Sequence, residues 1–251
     1  MAVIPTIRLF DNDPYLTEVE TSIASNDGEV VCLDETVFYA ESGGQSGDTG
    51  VFLLGSGEIL PVKETRYVPG RLRIAHILAH PVGANLTGQR VLARLDWDRR
   101  HRLMRMHSCL HLLCSLVEAP VTGCAIHPDH GRLDFDIEAT IDRQAVSDGL
   151  NALIERDLPV ELSYLPVREL RIDPALVRTV QVAPPETGGV VRIVRIGDVD
   201  RQPCGGTHVR STGEIGPVAI ASIEKKGRRN RRIKITFADH RAGPPLGHGK
   251  D

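Results

Sequence analysis

Two short stretches of this sequence hold histidine and cysteine side chains at spacings that suit a metal ion. The first is His107-Ser108-Cys109-Leu110-His111. Helical residues four apart lie one turn from each other on the same face. Their imidazoles converge on one point, which is how a helix offers two ligands to zinc. The second is Cys204-Gly205-Gly206-Thr207-His208, where the glycines let the backbone fold tightly enough for a thiolate and a neutral imidazole to face one ion. His107, His111, Cys204 and His208 together make a His₃Cys set, which suits one tetrahedral Zn2+ per chain. Each half alone has an ordinary explanation: paired histidines occur as hydrogen-bonded core residues, and a lone cysteine as a small buried one. The combination argues for the metal. Four protein ligands fill a tetrahedral ion, whereas catalytic zinc keeps a position open. Either one ligand binds loosely, or the ion takes five ligands, or zinc positions the substrate while another group activates water.

The first pair needs a helix. Asp96 is a suitable N-cap, and Leu103, Met106, Leu110, Leu113 and Val117 recur at three- and four-residue spacing. His107 and His111 fall at the edge of that stripe, where they can reach a partly buried pocket. After it the sequence predicts a turn around Val121-Thr122-Gly123, a strand over 132–137 and a helix over about 142–157, ended by Pro159. A strand over 160–165, a short helical piece near 174–178 and a loop over 179–189 follow. Strand 190–196 leads to the second stretch, and strands 218–223 and 232–237 close the domain. Upstream, short runs over 30–33, 51–54, 71–78 and 89–95 are separated by turn signals such as Asn26-Asp27-Gly28 and Pro69-Gly70. Many short strands suggest a small barrel or sandwich. The expected class is α+β: a glycine-rich β-barrel domain over 1–92, then an α+β domain over 93–240 with helices packed on an antiparallel sheet. The Gly- and Pro-rich tail from 241 reads as disordered.

The chain has 251 residues, 41% hydrophobic and 25% charged, with a formal net charge of −3. It can bury a real core, and its overall charge does not advertise nucleic-acid binding. No apolar run is long enough to span a membrane. The N-terminus lacks a basic region followed by an apolar segment, which reads as no signal peptide. Five scattered cysteines fit a reducing compartment better than a disulfide framework, so the expected location is cytoplasmic. No obligate protein partner is evident.

Three motifs carry a family resemblance. Arg102-Leu103-Met104-Arg105-Met106-His107 with Ser108-Cys109-Leu110-His111 is one. Asp200-Arg201-Gln202-Pro203-Cys204-Gly205-Gly206-Thr207-His208 continuing to Gly216 is another, and Phe38-Tyr39-Ala40-Glu41-Ser42-Gly43-Gly44-Gln45 continuing to Gly50 is the third. In their order along the chain, 38–50, 102–111 and 200–216, they resemble the barrel that precedes the editing domain of alanyl-tRNA synthetase, that editing domain, and the free-standing AlaX-type trans-editing proteins of medium size. The resemblance implies an aminoacyl-tRNA hydrolase. It would cleave the ester that joins serine, and in some members glycine, to the terminal ribose of tRNA(Ala). Zinc suits this, because it can polarise an ester carbonyl, activate a water, or anchor an amine or hydroxyl.

Gly44 and Gln45 are the second candidate component. A Gly-Gly-Gln tip can bring a backbone N–H and a side-chain amide against the ester to orient water or stabilise an oxyanion. On the tripeptide alone a tight turn with an exposed glutamine fits better; the resemblance favours the catalytic reading. For Thr122 two readings stay open: a hydroxyl that reads the serine hydroxyl, or an ordinary strand or turn threonine. Lys225, Lys226, Arg228, Arg229, Arg231 and Arg232 make a dense basic segment, and Arg99, Arg100, Arg102 and Arg105 a second cluster near the first histidines. Beside a tRNA site such clusters suit phosphate contacts. The remaining histidines read as surface or structural, and Cys124 as a thiol that could line the pocket. Rival functions are a threonyl-tRNA-type editing domain and a tRNA-binding module with a structural zinc and no activity. Turnover of seryl-tRNA separates the last of these from an editing enzyme.

Overall fold

The structure, a computed structural model of the chain, describes residues 4–83, 85–170 and 186–238. The N-terminal part contains β1 (Ile7–Arg8), β2 (Glu18–Asp27), β3 (Val30–Leu33), β4 (Glu35–Thr36), β5 (Gly50–Leu54), β6 (Ile59–Tyr67), β7 (Ile74–Leu78) and β8 (Arg90–Leu95). β2, β3, β7, β6, β5 and β8 close into a barrel in that order, with antiparallel pairing throughout. Period-two patterning drives the closure. In β6, Leu60 and Val62 turn inward while Ile59, Pro61 and Lys63 face out. The barrel is filled by Phe38, Phe52, Val31 and their neighbours, all fully buried. β7 starts at Ile74 rather than at the expected Arg71. Gly70 and Arg71 take positive φ angles of 84° and 56° to turn the chain out of β6, so Arg71 cannot be extended.

The second part holds α1 (Trp97–Leu116), β9 (Val121–Ile126), β10 (His130–Asp136), α2 (Arg143–Glu155), β11 (Val160–Pro166), the single turn α3 (Val167–Leu170), β12 (Glu186–Thr187), β13 (Val190–Ile196), β14 (Asp200–Pro203), β15 (Val218–Gly227) and β16 (Asn230–Phe237). Asp96 caps α1 by accepting from Arg99 N, and Asp142 caps α2 by accepting from Gln144 N and Ala145 N. The antiparallel strands form two sheets. One runs β15-β16-β10-β9. In the other, β11 covers one edge of β13 and β12 and β14 share the opposite edge. One apolar core joins α1, α2 and both sheets; it includes Leu103, Leu110, Leu133, Leu150, Ile196 and Ile235. The α+β class, with a closed barrel ahead of a helix-and-sheet domain, is what the sequence implies.

Two further local expectations change. Val121-Thr122-Gly123 is not a turn but the start of β9, paired with β10. Gly123 belongs there because a Cβ would sit 2.7 Å from an Asp134 carboxylate oxygen. The expected loop over 179–189 ends in a hairpin, in which β12 pairs with the start of β13 through Gly188 and Gly189 at φ 60° and 79°. The helical piece near 174–178 and the tail from 241 lie outside the described residues.

The two parts are riveted together. The loop after β4 reaches Ser42–Ser46 and lays Gln45 alongside Ile126 of β9: Ile126 N donates to Gly44 O at 2.7 Å and Ser46 N to Ile126 O at 3.1 Å. Arg100 of α1 is fully buried and forms a salt bridge with buried Asp48. Its remaining N–H groups go to Pro14 O and Val37 O. Tyr15 OH donates to the Glu214 carboxylate at 2.7 Å, and Glu214 completes a capping box with Ser211.

Candidate active site

α1 brings His107 and His111 to one side of the core, and the turn after β14 brings Cys204 and His208 against them. One ligand atom from each of the four lies within 4.8 Å of the others. Cys204 Sγ is 3.4 Å from His107 Nε2 and 3.3 Å from His208 Nε2. Zinc–nitrogen and zinc–sulfur bonds of about 2.0–2.3 Å in a tetrahedron put the ligand atoms about 3.5 Å apart, so these separations fit a single zinc-sized ion. The three histidines are buried and Cys204 is partly exposed, which leaves the cysteine side as the approach to the site.

A second layer fixes every ring. His107 Nδ1 lies 2.8 Å from Gln45 Oε1, His111 Nδ1 2.8 Å from Asp200 Oδ2, and His208 Nδ1 3.1 Å from Ser108 Oγ. Each Nδ1 is therefore engaged, which leaves Nε2 of each ring as the nitrogen that would face an ion. Outer partners of this kind set tautomer, ring angle and basicity in metal sites. Gln202 Nε2 donates to Asp200, and Ser108 Oγ also accepts from Val209 N. Burial alone would raise the Cys204 thiol, but the charges and hydrogen bonds of His107 and His208 hold it well below the usual thiol range. Burial, followed by the charge of His107, pushes the His208 imidazole well below its usual value. His111 goes the other way: burial lowers it, but the bonds to Asp200 and Cys204 carry it up to about 10. A thiolate is thus ready-made, and a cation entering beside it would displace the His111 proton.

The ligand turn is tight for a steric reason. A Cβ on Gly206 would lie 2.1 Å from His107 Cε1 and 2.9 Å from Gln45 Oε1. Arg192 of β13 holds the same turn from behind, donating from Nη1 to Cys204 O at 3.1 Å and Gly206 O at 2.6 Å.

Gln45 is where the sequence places it in space but not in orientation. It is fully buried. Its Oε1 accepts from His107 Nδ1 and from Thr207 N at 3.1 Å, and its Nε2 donates to Thr207 Oγ1 at 2.8 Å. The amide expected against an ester is turned onto a candidate ligand. Gly44 has φ 83°, and an added Cβ there would meet Cys124 O at 2.8 Å; only glycine lets the barrel loop dock on β9. Thr122, half-buried on β9, donates its hydroxyl to Asp134 O at 3.2 Å.

The basic residues divide. Lys225, Lys226, Arg228 and Arg229 are exposed at the tip of the β15–β16 hairpin, where Arg229 pairs with Asp136 and Lys226 with Glu224. Arg231 does not join them: it is buried and donates to the carbonyls of Gly227, Arg228, Asn230 and Glu138, so it holds the hairpin turn. Arg232 is bound by the Asp134 carboxylate. The second cluster is not a surface patch. Arg100 is fully buried, Arg99 bonds Gly47 O, and Arg102 bonds Pro128 O. Arg105 donates to Ile215 O at 2.8 Å with its guanidinium 4.2 Å over the Phe237 ring. Sequence reasoning assigned no role to Ser108, Asp200, Gln202, Thr207 or Arg192. The first four lie inside the quoted motifs, but their partners are set by the fold.

Residues 191–234 match the family model described as the threonyl and alanyl tRNA synthetase second additional domain, and residues 7–99 match that of class II (A) tRNA synthetases. The chain is 35% identical to an alanyl-tRNA editing protein AlaX-M of Methanosarcina acetivorans, over 92% of this chain and 98% of that one. It is 32% identical to an AlaX-M of Saccharolobus solfataricus, over 92% and 98%. An alanine–tRNA ligase of Pyrobaculum aerophilum is 32% identical over 90% of this chain but only 26% of its own length, so the likeness to the ligase is confined to a part the size of this chain. Barrel, ligand cluster and near-complete coverage of the free-standing relatives agree: the chain belongs to the AlaX-M family of alanyl-tRNA editing proteins.

Proposed function

We propose that this protein hydrolyses the ester of mischarged tRNA(Ala), seryl-tRNA(Ala) first and glycyl-tRNA(Ala) second, with one Zn2+ held by His107, His111, Cys204 and His208. The observation that carries this reading is the cluster itself: four ligand atoms within 4.8 Å, three of them on rings whose other nitrogen is already bound. Names of the relatives support the substrate. Zinc in this cluster would supply a Lewis acid for an ester carbonyl or an anchor for the substrate's amine or hydroxyl. The chain's own residues do the rest. Gln45, Asp200 and Ser108 hold the imidazoles in the tautomer that binds metal. Gln45 thus acts through His107 as a positioning residue. Gly44 keeps a backbone N–H without a protein acceptor among the described residues, and this is the group available from the barrel loop to orient water or an oxyanion. Thr122 uses its hydroxyl proton on Asp134 O, so its free lone pairs can accept from the serine hydroxyl and gain nothing from alanine. Lys225, Lys226, Arg228 and Arg229 supply the phosphate contacts that an overall acidic chain needs for RNA. Such a protein works in the cytoplasm, where tRNA is charged.

The alanyl rather than the threonyl assignment rests on the barrel loop: Gln45 completes the second layer of the cluster from outside the helix-and-sheet domain. Purified protein of measured zinc content should release the amino acid from seryl- and glycyl-tRNA(Ala) and spare alanyl-tRNA(Ala). Seryl ester that decays no faster than in buffer would reject the proposal in favour of a binding module.

A further inference from the structure

Arg192 stands out among the buried polar groups. It is 5% exposed, and its Nη1 is committed to the carbonyls of the ligand turn. Its Nε and Nη2 are buried without a partner among the described residues. Leaving such donors unpaired is costly, more so on a charged group, and the great majority of buried polar atoms find a partner. Nε and Nη2 form one edge of the planar guanidinium, the fork that matches two oxygens of a carboxylate or phosphate. Arg192 lies in the wall of a cleft of about 170 Å³, lined also by Asn12, Tyr15, Leu162, His208 and Arg210, with Nε and Nη2 beneath its surface. Arg210 adds a second guanidinium at the rim, 4.0 Å over the Tyr15 ring. Asp13 also lines the cleft, but it is engaged: Oδ1 accepts from Tyr15 N and stands 3.9 Å from Arg210. The cleft therefore has in its wall a buried guanidinium with two unused donors and shares its lining with the candidate ligand His208.

We infer that the Nε/Nη2 edge of Arg192 binds the phosphodiester on the 5′ side of the terminal adenosine of the tRNA. This rests on the proposed tRNA ester substrate. The amino acid's own carboxyl is consumed in the ester and carries no charge. The nearest anion to the reacting bond is then this phosphodiester, one ribose away. With the ester at the His107–His208 cluster, that phosphate falls on the neighbouring cleft. One side chain thus couples the two halves of recognition: Nη1 holds the Cys204–His208 turn, and the opposite edge anchors the nucleotide that carries the ester.

The test is a binding cycle that does not depend on turnover. A tRNA(Ala) minihelix ending in CCA is made with an ordinary or a methylphosphonate terminal linkage; the methyl group removes one charged oxygen. Each is titrated against wild-type protein and against Arg192→Lys, which keeps a charge and a donor for the turn but loses the fork. Zinc content is measured on both proteins. Each single change should weaken binding about tenfold or more, as expected for a charge-assisted fork, and the two together should cost little more than one. Independent, multiplying losses would overturn the inference, as would methylphosphonate binding as tightly as phosphate to the wild type. If Arg192→Lys loses zinc, the wild-type pair still decides: a methylphosphonate at the terminal linkage must weaken binding more than one at the two preceding linkages. Seryl-ester hydrolysis, assayed separately, reports on the functional reading. Coupling without hydrolysis keeps this inference and sinks that reading, and hydrolysis without coupling does the reverse.

Discussion

Gly206→Ala is the smallest change that should dismantle the proposed metal site. The new methyl carbon would lie 2.1 Å from His107 Cε1 and 2.4 Å from His107 Nδ1. Ordinary contact begins near 3.4 Å, so about 1.3 Å must be found by moving the ring or the turn. Neither is free to yield. The ring is held by Gln45 at 2.8 Å. The turn is held by Arg192 on Cys204 O and Gly206 O and by Thr207 N on Gln45 Oε1. Metal–ligand distances tolerate only about ±0.2 Å, several times less than the required shift. Disturbing a second-layer partner alone typically costs 10–100-fold in metal affinity, and displacing a ligand costs at least as much. Competition with a chromogenic chelator should therefore show zinc affinity reduced by about 100-fold or more, with circular dichroism unchanged. Wild-type affinity in Gly206→Ala would refute the packing argument, because it would mean that the turn relaxes without disturbing His107.

The paired variants Arg228→Gln and Arg229→Gln should flatten the dependence of log K on log salt for tRNA by about one unit per lost phosphate contact, without changing the preference for serine over alanine. Thr122→Val should do the opposite, narrowing that preference and leaving the salt slope alone; a change in both quantities from either variant would break the division of labour. Asp48→Asn strands the buried Arg100 guanidinium and should destabilise the fold by about 3–5 kcal/mol in urea unfolding, whereas a loss under 1 kcal/mol would place the pair among dispensable contacts. His76 is fully buried in the barrel, where burial pushes its imidazole down to about 4. The unfolded chain protonates near pH 6.5 and the folded chain only near 4, so stability is present at neutral pH and lost as pH falls across that window. From pH 7 to 5 the loss from this one group is about 2 kcal/mol, and His76→Gln should remove that component of the acid sensitivity.

The local rules of the chain carried much of the site. Asp96 announces α1, whose turn spacing already pairs His107 with His111, and the glycines of 204–208 announce a turn that can bring a thiolate and an imidazole together. What the sequence concealed depends on partners far along the chain. Arg100 looks like one of a run of surface cations until Asp48, distant in sequence, is folded against it. Arg231 looks like its neighbours in the basic segment, yet its place in β16 turns it back on the hairpin carbonyls. Val121-Thr122-Gly123 carries turn residues, but pairing with β10 overrides local propensity, and the glycine is there for the Asp134 carboxylate. Gln45 was legible as a candidate beside the cluster, but nothing local says that its amide meets Thr207 and His107.

Editing of a wrong amino acid on tRNA(Ala) is proposed to take place at the His107–His111–Cys204–His208 cluster. The most direct measurement is the ratio of ester-loss rates for differently labelled seryl- and alanyl-tRNA(Ala) in one mixture with zinc-loaded protein. The seryl ester should disappear well above its spontaneous rate while the alanyl ester persists. Equal, buffer-level decay of both by protein carrying one zinc per chain would contradict it.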